Sequence, residues 1–204
     1  MTERKPRKDA ARNRACLLAA AEDLFVRRAG AQDVTMAEVA AAAGVGKGTL
    51  FRAFGDRTGL IRELYAARLE PLERAVAEGP PPLGPAAPPR ERVPALLDAL
   101  LCFKLDHRHL APALEAAGDS GSPYDAGYYD RWHALLRDAL TGLPGFGDGA
   151  FAAHALLAAV RADLVEHLAG ARGVEREELR ARLAEFIDRV LGASPAAGGG
   201  PGEG

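Results

Sequence analysis

Between Val34 and Phe54 two helix starts and two stops crowd into one short stretch, and few folds accommodate such a pattern. Thr35 and Glu38 have the T-x-x-E spacing of a capping box, in which the Thr hydroxyl accepts from the third helical N–H and the Glu reaches back to the cap. Val34 before the cap and Val39 inside the helix add a hydrophobic staple. This helix runs to about Ala43 and stops at Gly44; only Gly44-Val45-Gly46 separates it from a third helix over residues 47–54. Two short helices joined by a glycine-containing turn define a helix-turn-helix. The turn brings the helices close, which favours small side chains (Ala40, Ala43 and Gly44) at the crossing.

The flanking helices are legible too. From about Ala11 to Arg28, Leu17, Leu18, Ala21, Leu24 and Phe25 share one helical face, with Gly30 as the stop. Asp56 caps a long fourth helix, along which Ile61, Leu64, Tyr65, Leu69, Leu72 and Val76 keep helical spacing. Residues 79–90, GPPPLGPAAPPR, cannot continue it and read as a loop. Further helices are expected near 91–106, 109–117, 125–141, 149–170 and 175–191. The last carries Leu179, Leu183, Phe186, Ile187, Val190 and Leu191 as an apolar stripe. β-branched residues are sparse and no period-2 stretch stands out. The expected fold is therefore all-α with about nine helices. Residues 1–9 form a flexible basic arm, 10–57 a helix-turn-helix domain and 58–78 a connecting helix. A C-terminal helical domain follows over 79–192, and 193–204, ASPAAGGGPGEG, form a disordered tail.

A helix inserted into a DNA groove needs small or polar residues near its N-terminus. The third helix begins Lys47-Gly48-Thr49, with Arg52 one turn further on, while Leu50 and Phe54 point back to a small core. Charge supports this reading although the whole chain carries only −2. Residues 1–57 hold eleven cations against seven anions, a net of +4, which leaves −6 on the remainder. A basic end on an acidic body suits an anionic partner. Arg4, Lys5, Arg7 and Lys8 either solubilise the terminus or grip DNA.

The run Arg14-x-x-Leu17-Leu18-x-x-Ala21-x-x-Leu24-Phe25, then Gly30, then Val34-Thr35-x-x-x-Val39-Ala40-x-x-Ala43-Gly44-Val45-Gly46-Lys47-Gly48-Thr49-Leu50-Phe51-x-x-Phe54-x-Asp56-Arg57-x-x-Leu60 resembles the TetR family of bacterial transcriptional regulators. The resemblance covers these N-terminal residues; the rest matches only in helix count and in two long final helices. It implies a homodimer that binds a palindromic or pseudo-palindromic double-stranded DNA operator and is released by a small-molecule ligand held in the C-terminal domain. Carried over by position, Thr35 contacts a phosphate, Lys47, Gly48, Thr49 and Arg52 lie in or against the major groove, and Phe51 and Arg57 stand at phosphate-contacting positions. The family usually has Tyr where Phe51 stands, so the ring is kept and the hydroxyl lost. Arg57 replaces a usual Lys and keeps the charge, whereas Gly46 replaces a common Ser and lacks a capping hydroxyl.

In the C-terminal domain, Phe103, His107, Tyr124, Tyr128, Trp132 and Leu136 are candidates for a ligand pocket, because pockets combine aromatic walls with a few polar tips. Leu157, Val160, Leu164, Leu183, Phe186, Ile187 and Val190 are candidates for a four-helix dimer interface. Cys16 and Cys102 read as small buried hydrophobes, which excludes a disulfide framework. His107 and His109 are two apart, pointing to different faces if helical, and His133, His154 and His167 are scattered, so no metal or cofactor is expected. The GDSGSPYD stretch lacks the strand–turn–helix setting of a nucleophile elbow, and no catalytic set emerges. No apolar run approaches the ~18 residues of a membrane span, and no signal-type stretch follows the N-terminus. A cytoplasmic regulator is the expectation. A DNA-binding interaction protein that senses nothing and an all-helical enzyme are the alternatives.

Overall fold

The computed structural model describes residues 4–28, 30–31, 34–110 and 127–192. They are helical throughout, with no strand among them. The N-terminal bundle comprises α1 (Arg4–Arg27), α2 (Met36–Ala42), α3 (Lys47–Phe54) and the first half of α4 (Arg57–Glu78). The body comprises the rest of α4 with α5 (Pro89–Asp106), α6 (Gly127–Thr141), α7 (Ala150–Ala158), α8 (Ala162–Glu166) and α9 (Arg176–Leu191).

In the bundle, Leu17, Ala21 and Phe25 are spaced by four on α1 and pack with Val34, Val39, Ala40, Leu50, Phe54, Leu60, Ile61 and Leu64. Cys16, one position off that stripe, is exposed, so the expectation of a buried thiol fails there; Cys102 is half-buried. The expected arm over residues 1–9 is also corrected, because α1 starts at Arg4. Arg, Lys and Ala carry enough helix propensity without apolar periodicity. Pro6 falls in the first turn, where its missing N–H has no intrahelical partner to lose.

The α3–α4 junction is tightly bound sterically. Asp56 caps α4 by accepting from the Gly59 backbone N–H at 2.7 Å. A Cβ on Gly59 would stand 2.1 Å from the Phe54 carbonyl oxygen, so only glycine fits. In the α2–α3 turn Gly44 has φ +65°, the left-handed region glycine adopts without strain.

Residues 79–88 form a fastened corner. Arg92 donates to the carbonyls of Leu83 at 3.0 Å and Val76 at 3.1 Å, tying corner and α4 to α5. The expected helix over 149–170 is broken: Arg161 is extended between α7 and α8, and α8 widens into a π-turn at His167–Ala171. The break changes the buried phase. Ala153, Leu156, Leu157 and Val160 face inward before it, and Ala162 and Val165 after it, which leaves Leu164 outside. Helix α9 packs on α5, with Arg180 bidentate to Asp98 at 2.7 and 2.8 Å and Arg176 on Asp106 at 2.5 Å. Residues 107–110 form a turn, and most of the helix expected at 109–117 and the tail at 193–204 lie outside the described residues.

Replacing Gly59 by Ala is expected to destabilise the protein by about 1–3 kcal/mol, since the added methyl meets backbone rather than a movable side chain. Urea unfolding measures it, and an unchanged midpoint would show that the junction relaxes freely.

Candidate nucleic-acid interface and body cavity

The cations of the bundle divide into two groups. Arg14 is occupied internally: its Nε donates to Glu63 at 2.7 Å, its Nη1 to the Ala53 carbonyl at 2.8 Å, and its guanidinium lies 4.7 Å over the Phe54 ring. It joins α1, α3 and α4. Arg57 is also held, donating through Nε to the Val34 carbonyl at 3.1 Å and through Nη2 to the Ala31 carbonyl. Arg57 thus steadies the entry to α2. Lys47 and Arg52 are different. Both are exposed on α3, and neither has an ion-pair or hydrogen-bond partner among the described residues.

Gly48 and Thr49 are exposed between those cations, and Phe51 is exposed beside them. Gly48 sits inside a helix, where glycine costs roughly 1 kcal/mol relative to Ala. Nothing among the described residues requires it, because a Cβ there would meet no atom of theirs within 4 Å. Gly46 caps α3 without a side-chain bond, in line with the absent hydroxyl.

Thr35 forms the expected capping box. Its Oγ1 accepts from the Glu38 N–H at 3.2 Å, and Glu38 Oε2 accepts from the Thr35 N–H and hydroxyl, each at 2.8 Å. The backbone N–H of Thr35, then its hydroxyl and the Arg28 guanidinium, hold Glu38 below the usual carboxylate range.

This arrangement matches known proteins. Residues 17–64 match the family described as bacterial regulatory proteins, tetR family. That stretch of the chain is similar to the DNA-binding part of that family. The chain's sequence is 30% identical over 123 residues to the HTH-type transcriptional regulator SAR2658 of Staphylococcus aureus strain MRSA252, a match covering 60% of this chain and 64% of that relative. The fold is similar to a TetR-family regulator from Rhodococcus sp., with TM-score 0.67 and 22% identity, over 89% of this chain and all of the other. It is also similar to Thermus thermophilus FadR, solved with lauroyl-CoA, with TM-score 0.59 and 22% identity, over 91% of this chain and all of that one.

The body of the chain holds a narrow cavity of about 30 Å³, room for little more than water as it stands. Tyr65, Leu100, Lys104, Tyr128, Tyr129, Trp132, Leu157 and Arg161 line it. Of the expected lining residues, Tyr128 and Trp132 are present and Tyr124 lies outside the described residues. Three others stand off this cavity. Phe103 stands behind Tyr65, edge-on at 5.1 Å; His107 packs on Phe103 at 4.6 Å; and Leu136 is core. Each shares a helical face with apolar neighbours, and spacing alone does not separate a wall from the layer behind it. Lys104 and Arg161 went unforeseen. Lys104 lies amid an apolar run, and Arg161 enters because the helix breaks at that residue. His133 and His154, distant in sequence, stack at 3.9 Å, and the Tyr129 hydroxyl meets His154 Nδ1 at 2.7 Å.

The candidate interface residues divide as well. Leu157, Val160, Leu183 and Ile187 are buried within the protomer and cannot form a surface. Leu164 and Phe186 are exposed, at 38% and 41%, and Val190 is partly so. The α9 stripe separates into an inward row, Leu179, Leu183, Ile187 and Leu191, an outward Phe186, and Val190 at the edge, partly buried against the core. Phe151 on α7 is 84% exposed.

Thr35→Ala is expected to cost about 1 kcal/mol near neutral pH. The sign with pH follows from the lowered Glu38 pKa. Its share of the cap is complete above the ordinary carboxylate range and is lost as pH falls through the lowered value. The penalty should therefore shrink between about pH 7 and about pH 3. A penalty that grows on acidification would contradict the reciprocal box.

Proposed function

We propose that the chain is a sequence-specific DNA-binding transcriptional regulator, a homodimeric repressor released by a small molecule in the body cavity. The observation that carries this reading is the surface of α3. There Lys47 and Arg52, two cations without partners among the described residues, flank a helical glycine that nothing internal requires. An α-helix fits the major groove, and a residue without a side chain lets its backbone approach base edges. Thr49 and Phe51 complete that face, with Thr35 at the start of α2 beside a phosphate. Arg57 acts mainly by holding the loop that positions Thr35.

Two copies joined through the exposed Phe186, Leu164 and Phe151, with Val190 at their edge, would present paired α3 helices to half-sites about 34–36 Å apart. The cavity supports the sensing half. Tyr65, Tyr128, Tyr129 and Trp132 give it an aromatic wall, and Lys104 and Arg161, the latter paired with Asp163, stand at its polar side; once widened it would suit an apolar or aromatic molecule whose anionic group competes with Asp163. The structural relative FadR was solved with an acyl thioester, lauroyl-CoA, of that general character. A bound molecule acts on DNA only through different affinities for the two reader arrangements.

Gly48→Ala separates recognition from stability. It should raise helix stability by roughly 0.5–1 kcal/mol yet weaken operator binding at least about tenfold, or ~1.4 kcal/mol; unimpaired binding would remove α3 from the groove. Lys47→Ala and Arg52→Ala should each lower the salt slope of binding by about one unit, the signature of one phosphate no longer neutralised. For the dimer, Phe186→Asp with Val190→Asp should give folded monomers in light scattering, and a surviving dimer would place the interface elsewhere. Trp132 is the single tryptophan, so its fluorescence should change on binding of an anionic aromatic or acyl compound that also releases DNA.

A further inference from the structure

The chain leaves α5 at His107 and turns, with the Leu110 N–H bonding back to the His107 carbonyl at 2.9 Å. The turn reverses the expectation that His107 and His109 diverge: their rings lie 5.9 Å apart and point to the same place. Glu22 of α1 stands opposite. One carboxylate oxygen and one nitrogen of each imidazole lie within 4.8 Å of one another. Nδ1 of His107 and Nε2 of His109 are buried and have no hydrogen-bond partner among the described residues, an arrangement that costs free energy in a folded protein.

We propose that Glu22, His107 and His109 form a binding site for a divalent transition metal of the zinc class, set across the junction between bundle and body. Two imidazole nitrogens and one carboxylate oxygen are the three-ligand set that zinc accepts with a fourth position open. Ligand distances of about 2.0–2.2 Å require the donors to close by about one ångström. Burial holds both imidazoles below the usual histidine range, in the neutral form that ligates. Arg68 donates to Glu22 through Nε at 2.6 Å and through Nη2; this contact orients the carboxylate, while the guanidinium charge competes with a cation for it. The junction is already tethered here, since the Ala31 N–H donates to the His109 carbonyl at 3.1 Å. The ion adds a second tie between α1 and the end of α5. The aromatic series Tyr65–Phe103–His107 sets that tie beside the body cavity.

The test is calorimetric titration of ZnCl₂ into tag-free, chelator-cleared full chain, with Co²⁺ absorption as a second readout of imidazole ligation. One ion per chain is expected. His107→Phe and His109→Phe, which keep ring volume, should each weaken binding at least about tenfold, ~1.4 kcal/mol, with helicity unchanged by circular dichroism. His154→Ala, which disrupts the stacked His133–His154 pair, should leave it unchanged. Absence of stoichiometric binding overturns the proposal. So does binding that survives both phenylalanine variants or is lost in His154→Ala. The titration involves no DNA, so its failure and failure of the DNA reading are distinguishable.

Discussion

One helix belongs to two cores, and the rest of the molecule depends on that sharing. The first turns of α4 bury Leu60, Ile61 and Leu64 in the bundle, and later turns bury Leu69 and Val76 in the body. Between them Tyr65 lines the cavity. A helix of 22 residues spans roughly 33 Å, and one backbone, with Pro71 between its two halves, connects both packed regions. Asp56 and Gly59 fix its start, and Arg92 fixes its end against the corner. This gives a physical basis for coupling: whatever repositions Tyr65 acts on the element that supports α3.

Electrostatics sort the bundle more finely than net charge does. The split into +4 and −6 holds, but part of the positive charge is structural. Arg14 and Arg57 spend their donors on backbone carbonyls or on Glu63, which secures the bundle and leaves little for a partner. Lys47 and Arg52 stay exposed, with no partner among the described residues. Exposed pairs contribute little to stability, so leaving two cations unpaired costs the fold almost nothing while concentrating positive potential on α3.

The sequence was most legible where chemistry is local. The Thr35–Glu38 box, the Gly44 turn and the Asp56 cap are formed as the spacing predicts, because each depends on residues three or four apart. Patterning over longer distances was ambiguous. The stripe Leu179–Leu191 predicts one face, but a helix packed on α5 buries only one row fully, which leaves Val190 at the edge and turns Phe186 outward. The break at Arg161 has no Gly or Pro to announce it and shows only as a change in which residues are buried. His107 and His109 converge because the helix ends between Asp106 and His109, a boundary spacing alone does not locate.

The most direct measurement is selection of DNA from a random pool by the purified protein, in parallel with its Lys47→Ala/Arg52→Ala variant. If α3 reads the major groove from a two-fold dimer, the wild type will enrich an inverted repeat with half-sites about one helical turn, or a multiple of it, apart, and the variant will lose that enrichment. No enriched sequence, or the same repeat emerging from the variant, would contradict the assignment of α3 as the reading helix.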